Sequence, residues 1–176
     1  VTEADFSSCG IGPVALGHVS DWVREATAEV EELNISEAII GDAAATLVEA
    51  ISSSSTLNFI TIGKGLRLPL KDKYDSDVLD ASKKGIEPGG VTVIAWWLTT
   101  SAAAALTSIN CLMNPIGEDG LATLVSAVKD SSVRSICGLT EGQTAADFSG
   151  MGLGPFDCKI MKAEFDFRGA IAVVAD

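Results

Sequence analysis

The chain has few basic side chains for its length. Twelve Lys and Arg residues stand against twenty-four Asp and Glu residues, which gives a net charge of −12 at pH 7 over 176 residues. Proteins that bind nucleic acids or anionic lipid surfaces use an excess of cationic side chains. The composition therefore argues against nucleic acid and anionic membrane surfaces as partners.

Cysteine is scarce and widely spaced. Cys9, Cys111, Cys137 and Cys158 form neither a CxxC pair nor a Cys/His zinc spacing, so neither a disulfide framework nor a zinc knuckle is expected. Free thiols favour an intracellular protein, in the cytoplasm or in an organelle. The first residues, VTEADFSSCG, carry no basic region followed by an apolar run, although a trimmed precursor remains an alternative.

The usual catalytic combinations are also missing. The single histidine, His18, has Asp21 nearby in sequence but no Ser-x-Gly or Cys/His partner motif, which favours a surface or capping histidine. The glycine-rich segments GIGP and GLGP match neither GxGxxG nor a P-loop. We therefore expect a protein that is not an enzyme and that has no cofactor and no metal.

Two segments support alternative interpretations. The acidic segment DKYDSDVLD, residues 72–80, could hold calcium, but it lacks the glycine and the final glutamate of an EF-hand loop. Residues 88–117 contain no charged side chain, but Gly, Thr, Ser and Asn dilute their apolar character. Two alternatives therefore remain. The chain is a regulatory module that senses a small ligand or ion through the acidic insert, or it is a membrane-associated subunit, although no membrane span is expected.

Internal repetition is the strongest signal in the chain. TEADFSSCGIGP, residues 2–13, shares most of its residues with TAADFSGMGLGP, residues 144–155. Two further segments, beginning at Val30 and Leu106, place apolar residues at positions 1, 4, 6 and 11 and glycine at position 12. In the second of them this LxxLxLxxNxIG pattern is filled by Leu106, Ile109, Cys111, Asn114, Ile116 and Gly117.

This pattern resembles the leucine-rich repeats of the ribonuclease-inhibitor-like class, which have units of about 28 residues. The irregular repeats are similar to those of photosynthetic protists, which makes a plastid one candidate compartment. The resemblance implies an α/β fold, a short solenoid of about five to six units with parallel strands on a concave face and helices on a convex face. We further expect a single domain over residues 1–176 that is part of a longer array or assembly. Insert loops are expected at 66–78 and 137–145, where the units depart from the family pattern.

The repeat frame also predicts which side chains meet a partner. On the concave face we expect an acidic and amide-rich stripe of Asp5, Glu32, Asn34, Asp80, Asn110 and Asp147. Of the two adjacent tryptophans, Trp97 is expected in the core and Trp96 on the convex face, where an exposed Trp could anchor an interface. The resulting hypothesis is a noncatalytic protein–protein interaction scaffold, for example a peripheral subunit of a large complex, that binds a basic or amide-rich protein.

Overall fold

Short strands and longer helices alternate along most of the chain. The computed structural model describes residues 2–25 and 29–174. The strands are β1 (Glu3–Asp5), β2 (Glu32–Asn34), β3 (Phe59–Ile62), β4 (Leu66–Pro69), β5 (Val78–Asp80) and β6 (Ser108–Asn110). The α-helices are α1 (Pro13–Glu25), α2 (Ala44–Ser53), α3 (Pro88–Trp97), α4 (Gly117–Lys129) and α5 (Pro155–Val174), with 3₁₀ turns at Gly41–Ala43 and Ser101–Ala103.

The strands belong to two separate sheets. The first has the order β1-β2-β3-β4, in which β1, β2 and β3 run parallel and β4 runs antiparallel to β3. The second consists of β5 and β6, which are parallel. Two isolated bridges, Ser108 to Ser135 and Asn110 to Cys137, extend its outer edge.

The prediction of a leucine-rich-repeat solenoid, with one row of parallel strands on a concave face, is therefore wrong, although the α/β class is correct. The structure is a small α/β fold with a mixed four-stranded sheet and a separate two-stranded sheet. The row of parallel strands stops at β3 because β4 reverses direction beside it. Residues 143–148 form no strand at all.

The reversal at β4 has a local cause. Gly63 and Gly65 both adopt positive φ, at 55° and 78°, and glycine adopts such angles with little strain. The LRLP segment that follows alternates buried Leu66 and Leu68 around exposed Arg67, the pattern of a strand with one face in the core. The first four residues of the predicted insert at 66–78 are therefore strand, whereas most of 137–145 is irregular.

A continuous apolar core lies between the sheets and the helices. Each helix packs against the next one along the chain, from α1 to α5. The apolar positions of the repeat frame are buried in both of its clear copies: Val30, Leu33, Ile35 and Ile40 in the first, and Leu106, Ile109, Cys111 and Ile116 in the second. The frame thus identified core residues correctly even though the sheet arrangement it implied is wrong.

The charge-free segment 88–117 is apolar because it supplies this core. It divides into α3, the second 3₁₀ turn and β6, and Val91, Val93, Ile94 and Trp97 are all buried. Among the residues that the structure describes, no helix combines the length and the apolar character that crossing a membrane requires.

Asn114 joins two neighbouring turns through its buried side-chain amide. Its Oδ1 accepts hydrogen bonds from the backbone N–H groups of Lys84 and Ile86, each at 3.0 Å. Its Nδ2 donates to the backbone oxygens of Ala81, Cys111 and Leu112. This side chain thereby connects the turn after β5 to the turn after β6.

Glu87 makes a similar connection at the start of α3. Its carboxylate caps the helix by accepting from the N–H groups of Gly89 and Gly90, and it also accepts from Ile40 and Gly41 of the preceding turn. Gly89 permits this approach, because a Cβ there would lie 2.6 Å from the Gly41 nitrogen. One partly buried carboxylate thereby fixes α3 to the turn before α2.

Helix α5 supplies carboxylates to backbone donors that have no strand partner. Asp157 accepts from the N–H of Met113 at 2.6 Å and of Gly154 at 2.7 Å. Glu164 is 1% exposed and accepts from the N–H of Ile136 at 2.6 Å. Buried backbone donors must find acceptors, and these two side chains provide them at the outer edge of the second sheet.

Candidate functional site

The solvent-facing side of the strands is the candidate functional surface. Alternation places Ala4, Leu33, Ile60 and Leu79 in the core, so the intervening strand side chains point away from it. We call the following set the strand face: Glu3, Asp5, Glu32, Asn34, Phe59, Thr61, Arg67, Val78, Asp80 and Asn110. It carries four carboxylates and one cation, so its charge is negative.

The structure brings most of the predicted stripe together in two groups. Asp5 lies opposite Asn34 in the register of β1 and β2, with Glu32 on the same strand as Asn34. Asp80 lies opposite Asn110 in the register of β5 and β6. The stripe is therefore divided between the two sheets, with β4 at the edge of the first.

Two predicted partner-binding residues lie away from this surface. Asp147 is exposed but belongs to the irregular segment before α5, not to a strand. Trp96 lies near the end of α3 and is only half-buried, packing against the core. Trp97 is fully buried, which confirms its predicted place in the core.

A repeated turn follows the strands and uses the same polar side chains. Asp5, Asn34, Asp80, Asn110 and Asp147 each accept, through Oδ1, the backbone N–H of the residue two positions later. The residue three positions later has positive φ in every case: Ser8, Glu37, Lys83, Met113 and Gly150. These are Asx turns, so each side chain has one oxygen committed to the fold. The three aspartates are exposed to solvent, whereas the two asparagines are partly buried.

The turn explains two pKa shifts. Hydrogen bonds from Ser7 lower the pKa of Asp5, and those from Ser149 lower the pKa of Asp147. Both carboxylates are fully exposed, and hydrogen bonding to the charged form is the cause. These two groups therefore remain negative at mildly acidic pH.

Arg67 is the cation of the strand face, and the sequence analysis did not identify it. It lies opposite Thr61 in the hairpin, where its guanidinium pairs with Glu32 at 2.5 Å. The guanidinium also lies over the Phe59 ring, 3.3 Å from its centroid, in a cation–π arrangement. The alternation in LRLP was the signal that could have placed Arg67 on this face.

A cleft of about 290 Å³ opens beside Arg67. Its walls combine aromatic, cationic and acidic side chains: Phe59, Arg67, Pro69, Asp72, Lys73, Tyr74 and Asp75. Arginine and aromatic side chains are enriched at the centres of protein interfaces. The cleft is thus the part of the strand face best suited to receive a partner side chain.

Tyr74 is held at this cleft by the core. Its ring meets that of Trp97 edge to face, with 5.7 Å between centroids, and its backbone N–H donates to Ala102. Trp97 in turn donates from Nε1 to the Pro69 oxygen at 2.7 Å. Burial raises the pKa of Tyr74, with smaller contributions from Asp75 and Asp80, so the phenol stays protonated at neutral pH.

Neither the acidic segment nor the histidine belongs to a cluster of metal-ligating side chains among the described residues. Within residues 2–25 and 29–174, no three His, Cys, Asp or Glu side chains are arranged to hold a metal ion. His18 is exposed on α1, and Asp21 pairs with Arg24. Asp72 and Asp75 instead border the cleft beside Arg67.

Two of the four thiols are buried. Cys9 and Cys158 are exposed, whereas Cys111 and Cys137 lie in the core. Burial raises the pKa of both buried thiols to about 12. A nucleophilic cysteine requires a lowered pKa and access to solvent, so Cys111 and Cys137 have structural roles.

The buried thiol of Cys111 predicts a loss of stability at alkaline pH. The folded-state pKa of about 12 lies above the ordinary value of 9.0. The contribution of this thiol to the free energy of unfolding is therefore fully present below pH 9.0 and is lost as pH rises toward 12. Between about pH 8 and about pH 10 this one thiol should lower the free energy of unfolding by about 1.4 kcal/mol. Urea unfolding of the wild type and of Cys111→Ser measures the difference.

The Cys111→Ser variant should show a weaker pH dependence, because its hydroxyl does not titrate in this range. Cys9→Ser, which removes an exposed thiol, is the control. Equal pH dependence in the wild type and in Cys111→Ser would show that this thiol does not carry the effect.

No protein-family model matches the chain, and no curated protein matches it significantly. A function is therefore inferred from the residues and the geometry of the strand face.

Proposed function

We propose that the protein is a noncatalytic interaction domain that binds a protein partner on its strand face. The observation that carries the proposal is the composition of this surface: the carboxylates of Glu3, Asp5, Glu32 and Asp80 project from the strands beside a cleft with aromatic walls. Such a surface attracts a segment that is rich in basic or amide side chains.

The cleft beside Arg67 is the proposed anchor of this interface. Arg67 and Tyr74 are held in place by Phe59 and Trp97, so they lose little conformational freedom when a partner binds. Binding energy usually concentrates in a few such side chains, while the surrounding charges set orientation and association rate. The finer hypothesis, a peripheral subunit of a large complex, is consistent with this surface.

The proposed function predicts a charge effect that leaves the fold intact. Asn34 and Asn110 already form the Asx turn with an amide, so Asp5→Asn with Asp80→Asn should remove two charges and keep both turns. Peptides selected from a random library against the wild type should be rich in Lys, Arg, Asn and Gln. Their affinity should fall roughly fivefold in the double variant, measured by fluorescence anisotropy.

The matched control removes two exposed carboxylates from the helices. Glu25 ends α1 and Asp119 lies in the first turn of α4, so Glu25→Gln with Asp119→Asn makes the same change in net charge away from the strand face. We expect this control to bind like the wild type. Equal weakening in both double variants would indicate a nonspecific charge effect and would refute the proposed interface.

A further inference from the structure

A second and larger cleft is lined by none of the strand-face residues. It has a volume of about 530 Å³ and is formed by Thr107, Ser132, Arg134, the loop residues 139–142 and Arg168 of α5. Clefts of about 300–1,000 Å³ are typical of sites for small molecules. The strand face and its proposed partner do not account for this cleft.

Two arginine side chains line the cleft. Arg134 is anchored by hydrogen bonds from Nη1 to the Ser131 and Val133 oxygens, at 2.8 and 3.0 Å. Arg168 donates from Nε to the Arg134 oxygen at 3.4 Å. Each guanidinium has five N–H donors, so both keep donors for a ligand. Fork-shaped donor pairs of this kind match the two oxygens of a carboxylate.

The rest of the lining offers acceptors. Thr107 donates its hydroxyl proton to the Asp77 oxygen, and Ser132 donates its own to the Leu106 oxygen. A hydroxyl has a single proton, so both oxygens are left to accept hydrogen bonds. Glu141, which is exposed, adds a carboxylate to the same cleft. A ligand group that donates several hydrogen bonds, such as an ammonium, fits these acceptors.

The charges at the cleft balance. Arg134 and Arg168 carry two positive charges, while Glu141 and the buried Glu164, 2.7 Å from Arg168 Nε, carry two negative ones. Within the part of the chain that the structure describes, Arg134 has no carboxylate at ion-pair distance. A doubly charged phosphate would leave this site with unbalanced negative charge, whereas a zwitterion would not.

We propose that this cleft binds a free α-amino acid. Arg134 and Arg168 bind its carboxylate, Glu141 and the hydroxyl oxygens of Thr107 and Ser132 bind its ammonium group, and Leu139 provides an apolar wall for its side chain. This small-molecule site is separate from the strand face, so it adds a ligand to the proposed interaction domain.

Leucine is the probe for this site, and isothermal titration calorimetry is the measurement. N-acetylleucine removes the ammonium charge and leucinamide removes the carboxylate, so each compound lacks one half of the zwitterion. Leucine should bind at least roughly tenfold more tightly than either analogue. Inorganic phosphate should compete weakly or not at all.

Variants assign the binding to this cleft. Arg134→Gln and Glu141→Gln should each weaken leucine binding roughly tenfold, and Arg134→Lys should retain part of the affinity. Lys64→Gln, on the exposed turn between β3 and β4, is the matched control. The Glu141 side chain is exposed, so its substitution should leave the fold unchanged even if Arg134→Gln alters the cleft.

The outcomes are distinct. An amino-acid site is supported if leucine binds, if both cleft variants weaken this binding, and if neither analogue binds as tightly. Tighter binding of N-acetylleucine or of phosphate than of leucine would show an anion site and overturn the zwitterion assignment. The site itself would be refuted if neither leucine nor other amino acids bound at millimolar concentration. It would also be refuted if the wild type and both cleft variants bound leucine with equal affinity.

Discussion

Replacing Asn114 with alanine should lower the free energy of unfolding by about 3 kcal/mol, as measured by urea denaturation. The substitution removes five hydrogen bonds of a side chain that is 7% exposed. It also leaves the N–H groups of Lys84 and Ile86 without their acceptor at a site that water reaches poorly. Unpaired buried donors carry most of this cost.

Asn110→Ala is the matched control for this prediction. Asn110 lies four residues earlier, is partly exposed, and accepts a single hydrogen bond, from Leu112. We expect its replacement to cost about 1 kcal/mol or less. Similar losses in the two variants would show that the buried amide does not connect the two turns in the way described.

Trp97→Ala should destabilise the fold by about 4 kcal/mol, because it removes the largest fully buried side chain of the core. The same change removes the ring that holds Tyr74 and the donor to the Pro69 oxygen. Under conditions in which the variant remains folded, we therefore also expect weaker binding of peptides at the cleft beside Arg67. Denaturation and anisotropy measure the two effects separately.

Trp96→Ala is the neighbouring control, because Trp96 is only half-buried. Its loss should cost about 2 kcal/mol or less and leave peptide binding unchanged. Trp97→Phe keeps an aromatic ring but leaves the Pro69 oxygen unpaired, which should cost about 1 to 3 kcal/mol. If Trp96→Ala were the more damaging substitution, the assignment of core and surface within α3 would be reversed.

The core residues could be predicted from the sequence because burial follows the local spacing of apolar residues. The frame placed Leu33, Ile35, Ile109 and Cys111 inside, and all four are buried. The division of the strands into two sheets could not be predicted, because it depends on which strand edges pair. The chain turns at Gly63 and Gly65 and returns beside β3 as strand β4, with Arg67 facing solvent. The repeat period instead predicted that this segment is an insert.

The two similar end segments separate local from tertiary effects. Residues 2–13 and 144–155 form the same Asx turn, at Asp5 and Asp147, and both are followed by a helix that begins at proline. Only the first copy also forms a strand, because β2 lies beside it. Local sequence was sufficient to determine the turn, whereas the strand required a neighbour that the second copy lacks among the described residues.

The candidate site was predictable to a similar extent. The outward positions Asp5, Glu32, Asn34, Asp80 and Asn110 followed from strand alternation. The Asx turns at Asp5, Asn34, Asp80 and Asp147 were visible as a repeated D/N-x-S spacing but were not recognised. The turn at Asn110 lacks this spacing, because Leu112 stands in the serine position. The cleft beside Arg67 and the cleft beside Arg134 depend on contacts between residues that are distant in sequence, such as Tyr74 with Trp97 and Arg134 with Arg168. Spacing alone could therefore not predict them.

The most direct test of the strand face as the binding surface is an NMR titration of the ¹⁵N-labelled protein with a peptide selected for binding. We expect the backbone amide signals that shift most to belong to β1, β2, β3 and β4 and to the segment around Tyr74. The signals of α1, α2 and α4 should change little. Large shifts confined to the helices, with the strand signals unmoved, would contradict the proposed interface.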